Sequence, residues 1–376
     1  MRFFVTCAKG TEGALRRELV AQRIHAPRGA VGGVTFEGTM EDGMKVCLWS
    51  RVAMRVLLEV GTFPVPNAGA LYEGAHGVDL SRFLNDRTTL AVAATVHNNP
   101  EIRHSGFAAL KVKDAVVDAL RNRMAGRRPD VNVEDPDVPL ALHIREREAR
   151  LYVDLAGAPL HRRGYRVAMG DAPLKESLAA AVLALGGASR DLSFIDPMAG
   201  TGTLAIEHAQ ICRRMAPGLK RSFAFERWAD QSHMPVFRQL KQAAQDLMIA
   251  HAPCPIVARD SSQKMVAAAR RNAQAAGVAD DIRFETAEIS SLTPEGPSGI
   301  LCMNPPYGER LQGSGSGASP QKTFTDIARA LDRMGGWTAI VLCGNPMLAH
   351  LIRHKHRISH RLWNGPLETR LLVYSL

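Results

Sequence analysis

Apolar positions recur along this chain with two periods, and the changes of period outline its architecture. Arg2 to Cys7 reads as a strand, and Glu12 to Gln22 as a helix with Leu15, Leu19 and Val20 on one face. A glycine-punctuated strand pair around Val31 to Phe36 follows, then a helix from Asp42 to Arg51 and a strand from Arg55 to Val60. Pro64-Val65-Pro66-Asn67-Ala68-Gly69 reads as a linker. Beyond it the pattern predicts a helix over 71–82, a strand over 88–96, a helix over 106–125, and strands over 139–145 and 150–155. Gly157-Ala158-Pro159 marks a second boundary. From there strands at 193–196, 255–259, 281–284, 299–303, 338–343 and 369–375 alternate with helical stretches, the signature of a doubly wound parallel sheet. No internal repeat is visible.

Two motifs sit where such a sheet places ligands, at the C-terminal edge of its strands. In the first, the apolar run Ile300 to Met303 stops at Asn304-Pro305-Pro306-Tyr307. Two prolines remove two backbone donors and fix φ, so the turn is stiff. It can present a carboxamide, a bare carbonyl and an aromatic face, which suits a planar exocyclic amine. In the second, Ser193 to Ile195 leads into Asp196-Pro197-Met198-Ala199-Gly200-Thr201-Gly202 and then a helix from Thr203. Strand, glycine turn and helix make a nucleotide-type site. Gly200, Gly202 and Ala205 also fit the dinucleotide pattern, but the next strand-end acid, Asp260, lies far beyond the usual interval of about 20 residues. A nucleoside without a pyrophosphate fits better.

The set Asp-Pro-Met-Ala-Gly-Thr-Gly, Asp260 and Asn-Pro-Pro-Tyr resembles the class I S-adenosylmethionine-dependent amino-methyltransferases. His161 to Arg166, Ala172-Pro173-Leu174-Lys175-Glu176 and Phe223 to Trp228 are similar to segments of the THUMP-containing RNA guanine-N2-methyltransferases. Lys111-Val112-Lys113-Asp114-Ala115, Arg128-Pro129-Asp130-Val131 and Pro136-Asp137-Val138 resemble the THUMP signature. The resemblance covers essentially the whole chain and comes nearest to the bacterial large-subunit ribosomal RNA enzymes and their tRNA-modifying relatives. It implies an α/β chain: a ferredoxin-like domain over 1–62, a THUMP RNA-binding domain over 63–157, and a Rossmann-like methyltransferase domain over 158–376. The last of these would have a mostly parallel sheet with an antiparallel final strand. The chain ends after one methyltransferase unit, so a single transferase activity is expected.

The resemblance also assigns roles. Asn304 Oδ1 and the Pro305 carbonyl would accept from a guanine N2 amine, with Pro306 stiffening the turn and Tyr307 stacking on the base. S-adenosylmethionine would be held by Asp196, Pro197, Met198, Gly200, Thr201 and Gly202 at its methionine end, with Asn304 beside it. Asp260 would bind its ribose and Glu288 its adenine amine, while Ser262 caps the helix after Asp260. Lys111, Lys113, Arg128 and Arg163 would contact RNA; Arg162 and Arg166 are open to RNA, the cofactor carboxylate or neither. Glu226-Arg227-Trp228 reads as domain packing.

Composition adjusts this picture modestly. Lysine plus arginine exceed aspartate plus glutamate by 47 to 37, for a net charge of +10. That excess suits a polyanionic partner, ribosomal RNA or tRNA. The basic run from Arg353 to Arg361 lacks metal-ligand spacing and reads as a solvated surface, with phosphate contact as the alternative. The six cysteines (7, 47, 212, 254, 302 and 343) are scattered with no C-x-x-C pair, so neither a metal nor a disulfide framework is expected, and Cys302 reads as packing. No apolar run approaches the roughly 20 residues of a membrane span and no signal stretch opens the chain, so a cytoplasmic protein without a membrane partner is expected. The Gly/Ser stretch over 311–320 is either an idle loop or a flap over the site. No feature of the sequence sets an oligomeric state. Alternatives to guanine N2 are N6-adenine methylation of nucleic acid, N5-glutamine methylation of protein, an RNA-binding module with a vestigial enzyme, and a nucleotide-dependent oxidoreductase.

Overall fold

The computed structural model describes residues 1–170, 174–307 and 320–376, and the chain divides into two compact units. The first comprises Met1–Thr6, Arg16–Leu160 and Arg221–Ala243. Its elements begin with β1 (Arg2–Thr6), α1 (Glu12–Ala21), β2 (Arg28–Ala30), β3 (Gly33–Glu37), α2 (Met40–Trp49) and β4 (Arg55–Pro64). They continue with α3 (Ala68–His76), β5 (Thr89–His97), α4 (Ser105–Arg123), β6 (Asp130–Val131), β7 (Val138–Arg145) and β8 (Glu148–Asp154). All eight strands join one sheet in the order β2-β3-β1-β4-β8-β7-β5-β6. The antiparallel β4–β8 ladder, from Leu57 opposite Asp154 to Pro64 opposite Glu148, therefore fuses the stretches read as ferredoxin-like and THUMP-like into one hydrogen-bonded surface.

The expected linker is structured at both ends. Pro64 closes β4, and Asn67 caps α3 by accepting from the Ala70 amide at 2.9 Å. That helix ends at Gly77 rather than running to 82. The segment from Arg221 docks on this unit through packed rings: Phe225 meets Phe237 at 4.7 Å, and Trp228 meets Phe83 edge-on at 4.7 Å. Arg227 grips Asp135 with two nitrogens at 2.9 Å and reaches Asp137 at 3.1 Å. Trp228 of this motif packs, while its arginine pairs with acids.

The second unit, Cys7–Leu15, His161–Lys220 and Ala244–Leu376, carries the doubly wound sheet. Its helices and strands are α5 (Glu176–Gly186), β9 (Phe194–Asp196), α6 (Thr203–Cys212), α7 (Met234–Asp246, mostly in the first unit), β10 (Ile256–Asp260), α8 (Gln263–Ala276) and β11 (Ile282–Thr286). After these come β12 (Ile300–Met303), α9 (Pro320–Asp332), β13 (Thr338–Cys343), α10 (Pro346–Leu351), β14 (His356–Asn364) and β15 (Leu367–Ser375). The sheet order is β11-β10-β9-β12-β13-β15-β14, with β15 antiparallel to both neighbours. The chain winds away from β9 in both directions, through β10 and through β12, so a topological switch point lies at β9.

Strand β14 departs from the sequence reading, which took 353–361 as solvated surface. It is the sheet's edge strand, with Leu362 buried while Arg357, Ser359 and Arg361 face water. Charged side chains on an edge discourage pairing with a second chain, and they mask the strand's periodicity. Beneath the switch point, Ile195, Leu301, Met303, Phe324, Trp337 and Tyr374 belong to one buried cluster. Trp337 is 1% exposed, lies where a side chain on Gly299 would collide with it, and donates from Nε1 to the Gly296 carbonyl at 3.1 Å. Trp337→Ala should cost about 3–5 kcal/mol in urea unfolding, and Trp337→Phe clearly less. Equal losses would show that ring volume is not what the site needs.

Candidate functional site

Register brings the sequence motifs together. Asp196 at the end of β9 pairs with Ala258 of β10, and Ile195 pairs with Leu301 of β12. Asp260 and Asn304 therefore stand at the C-terminal ends of the two strands flanking Asp196, Asp260 two residues beyond the position level with it, on strands spaced about 4.8 Å from β9. Between β9 and α6 the chain turns through Gly200 (φ 53°) and Gly202 (φ 84°), left-handed positions that favour glycine. A Cβ on Gly202 would press on Ala269 at 3.0 Å, whereas beside Gly200 the space is open, so a ligand can approach the backbone there.

Three polar groups hold the turn. Asp260 accepts from the Gly200 amide with Oδ2 at 2.8 Å and from the Ser262 amide with Oδ1 at 2.9 Å. Ser262 caps α8, as expected, by accepting from the Met265 amide. Arg166 binds Glu176 and the Leu174 carbonyl, each at 2.9 Å, and reaches Thr201 and Thr203 at 3.3 Å. Asn272, 1% exposed on α8, accepts from the Val167 and Ala168 amides and donates to the Ala168 and Thr201 carbonyls. Asn272 carried no signal in the sequence, because a buried helical asparagine looks like any surface one. The structure shows Arg166 as a brace for the turn.

Asp196 is 1% exposed and accepts from the Met198 amide at 3.3 Å. Burial holds its carboxyl well above the usual carboxylate range; the Met198 hydrogen bond opposes this and the nearby Asp260 adds to it. Glu288 is exposed just after β11, where the Ala287 amide donates to the Asp260 carbonyl at 3.0 Å. Pro197, Met198 and Thr201 lie in the turn itself.

At the second motif a directional chain of hydrogen bonds appears. The Asn364 amide donates to the Tyr307 hydroxyl at 3.3 Å, and that hydroxyl donates to Asn304 Oδ1 at 2.8 Å. Asn345 donates to the Tyr307 carbonyl at 3.3 Å, and the Tyr307 ring lies against Gly344, where any side chain would collide with it. With Asn364 filling a lone pair of the phenol oxygen, the phenol proton goes to Asn304, whose amide is thereby set with its oxygen as acceptor. An amide oxygen has a second lone pair to offer. Asn345 and Asn364 escaped the sequence reading because they follow β13 and close β14. The Gly/Ser stretch over 311–320 lies, except for Pro320, outside the described residues, as do Ala172 and Pro173.

Of the expected RNA contacts, Lys111, Lys113 and Arg128 share one groove of ≈ 550 Å³ in the first unit. Lys111 sits 5.3 Å above the Tyr72 ring, and Lys113 pairs with Asp114 at 2.6 Å. Arg163 does not belong with them. It is 4% exposed and faces the buried Glu207 at 3.6 Å, beside Tyr165, whose hydroxyl bonds the same carboxylate at 3.0 Å. An arginine so enclosed is structural.

Comparison with known proteins agrees with this layout. A model of the RMKL-like methyltransferase domain matches residues 163–372, one of the RlmL ferredoxin-like domain residues 2–57, and one of the THUMP domain residues 66–154. Ribosomal RNA large subunit methyltransferase K/L of Pseudomonas paraeruginosa is 38% identical over 98% of this chain and 52% of its own length. The chain thus spans about half the length of the curated relatives it matches. Among solved structures, SMU.472 complexed with SAH superposes with a TM-score of 0.90 at 26% identity, covering 100% of this chain and 97% of that one. A Listeria monocytogenes protein provisionally classed as an N6-adenine-specific DNA methylase gives 0.88 at 29%, covering 99% and 95%. Among the described residues no helix is long and apolar enough to cross a membrane.

The raised Asp196 pKa has a stability consequence. Below about pH 3.9 the folded and unfolded chains both keep this proton. Above it the unfolded chain releases the proton while the folded one retains it, so Asp196's contribution to stability falls as pH rises toward the folded value. A carboxamide in its place cannot ionise. Asp196→Asn should therefore gain on the parent by up to about 1.4 kcal/mol per pH unit between about pH 4 and the folded value, read from urea midpoints. A pH-independent difference would place the carboxyl in its ordinary range.

Proposed function

This chain belongs to the RMKL-like methyltransferase family, whose model spans residues 163–372, and on that premise we propose that it methylates the exocyclic N2 amine of a guanosine in structured RNA, 23S ribosomal RNA first. The observation that carries the chemistry is the orientation of Asn304 Oδ1 by Tyr307 and Asn364 at the end of β12, one strand from the acid-braced turn. The substrate class is supported by the THUMP match and by the names of the curated relatives. N6-adenine is the second reading, favoured by the Listeria neighbour and by the fact that the same turn can hold either planar amine.

The donor is S-adenosylmethionine, which supplies an electrophilic methyl carbon on a sulfonium. The site suits it: open backbone at Gly200, a carboxylate at Asp260 able to bond a ribose diol, and an exposed carboxylate at Glu288 for an adenine amine. The difficulty lies with the nucleophile, since a guanine N2 lone pair is delocalised into the ring. Accepting from its two N–H groups at Asn304 Oδ1 and the Pro305 carbonyl favours a tetrahedral nitrogen and offsets its developing positive charge. Asn304 is no base, so the proton leaves after transfer, to water. Tyr307 serves twice, its hydroxyl orienting Asn304 and its ring available to stack on a base drawn out of its helix.

Tritiated methyl groups from S-adenosylmethionine should enter 23S RNA incubated with the pure protein and be recovered as N2-methylguanosine. Recovery as N6-methyladenosine would select the second reading, and no transfer to any cellular RNA would end both. Asn304→Ala should lower turnover by about 10²–10³-fold while leaving cofactor affinity within a few-fold. Tyr307→Phe, which keeps the ring, should cost about tenfold.

RNA contact by the groove makes a separate prediction. Reversing the charge of Lys111 and Lys113 together in the full chain should weaken RNA binding and reduce the slope of log affinity against log salt by about 2. An unchanged slope would remove both lysines from the phosphate contacts.

A further inference from the structure

The cysteine spacing predicted no metal framework, yet folding brings two of the six cysteines and a histidine into one cluster, with His208 and Cys212 buried and Cys254 partly so. We propose that His208, Cys212 and Cys254 form a binding site for a thiophilic d10 cation, zinc in the first instance. His208 and Cys212 stand one turn apart on the same face of α6, where side chains at i and i+4 meet. Cys254 joins them from the segment that leads into β10. One donor atom from each residue lies within 4.8 Å of the others. His208 Nε2 is 3.4 Å from Cys212 Sγ. A tetrahedral zinc with bonds of about 2.3 Å to sulfur and about 2.0–2.1 Å to nitrogen would set such a pair about 3.5 Å apart.

Other features favour a cation over a plain packing contact. The His208 ring is fully buried and held flat against Phe194, 4.0 Å between centres at an interplanar angle of 15°, so its nitrogen is aimed rather than free to turn. Both sulfurs reach the same backbone oxygen, the Arg190 carbonyl, Cys254 at 3.1 Å and Cys212 at 3.9 Å. The oxygen, both sulfurs and the imidazole nitrogen thus crowd into one small space. Two thiolates, an imidazole and that carbonyl around a divalent ion make a complete four-donor set of zero net charge, which can be buried without leaving a lone ion in an apolar interior.

The location says what the site is for. Phe194 opens β9, and its amide donates to the Pro255 carbonyl at 2.9 Å, so the cluster sits at the N-terminal edge of the sheet. Along α6, Cys212 lies about 13.5 Å from Thr203, where the helix leaves the glycine turn. A cation here takes no part in methyl transfer. It ties the far end of the helix that carries the turn to the strand that carries Asp260.

Cobalt(II) supplies a visible probe. Added to the chain of residues 1–376 after reduction and removal of metal with a chelator, it should produce thiolate-to-cobalt charge transfer and tetrahedral ligand-field bands, saturating at one ion per chain and displaced by zinc. Cys254→Ser alters the least buried of the three residues, so the variant should fold, as circular dichroism will check. It should weaken binding by at least about 100-fold, and zinc should raise the thermal midpoint of the parent but not of the variant. The proposal is overturned if the folded, reduced parent takes up no cobalt, if the bands persist unchanged in Cys254→Ser, or if the two sulfurs prove to be joined as a disulfide that excludes metal.

Discussion

A hydrogen bond has a direction, and the arrangement at Asn304 depends on that fact. A carboxamide offers an acceptor at one end and a donor at the other, in nearly the same shape. Only the acceptor end can relieve an amine that is losing its planarity. The rigid Pro-Pro turn places the amide but does not choose its orientation. The choice comes from elsewhere: Asn364 donates through Nδ2 to the phenol oxygen of Tyr307, and the phenol proton is directed to Asn304 Oδ1. The closing turn of a hairpin at the sheet's edge thus sets the polarity of an atom several strands inward.

The cofactor side is built on a similar economy. The Asp260 carboxylate already accepts two backbone amides, one of them from Gly200, so the group that would bind a ribose also shapes the turn beside it. Asn272 and Arg166 lock the same turn from the side of the chain that precedes β9. A site held this way is preorganised, and little structure must be ordered when a ligand arrives. The cost falls on Asp196, whose carboxyl is pushed above the usual carboxylate range first by its burial and further by the second carboxylate, Asp260, nearby.

The sequence disclosed these features unevenly, for physical reasons. Strands β9, β10, β12 and β13 were legible because strands covered on both faces are short unbroken apolar runs, and breakers follow three of them, β9, β12 and β13, at once. The glycines were legible because left-handed φ values admit few other residues. Strand β14 was hidden because an edge strand is defended with charge, so its periodicity resembles a solvated surface. Asn364 was hidden with it, and Asn345, between β13 and α10, looks like any other turn residue. Arg163 misled in the opposite sense: within an Arg-rich stretch its sequence neighbours suggest solvent, but the pairing that buries it, with Glu207, comes from a helix more than forty residues on. Continuity of the β4–β8 ladder was also out of reach, since Pro and Gly mark a change of direction without saying whether the sheet resumes on the other side.

These observations assign the two edges of the second sheet different physical tasks. At the C-terminal edge, polar groups accept and donate in fixed directions, and three of them, Asp260, Asn272 and Arg166, hold backbone in place. At the N-terminal edge the same strands begin among Phe194, His208 and two cysteines, a sulfur- and nitrogen-rich pocket with no polar ligand chemistry in common with the first. Helix α6 runs between them, starting at Gly202 and ending at Cys212. Rotation of that helix about its axis would displace Thr203, and with it the Arg166 bridge that spans Thr201 and Thr203. The helix is held along its length, by Glu207 against Tyr165 and by His208 against Phe194. Fixing its last turn to the segment before β10 adds a point of attachment at the end farthest from the glycine turn.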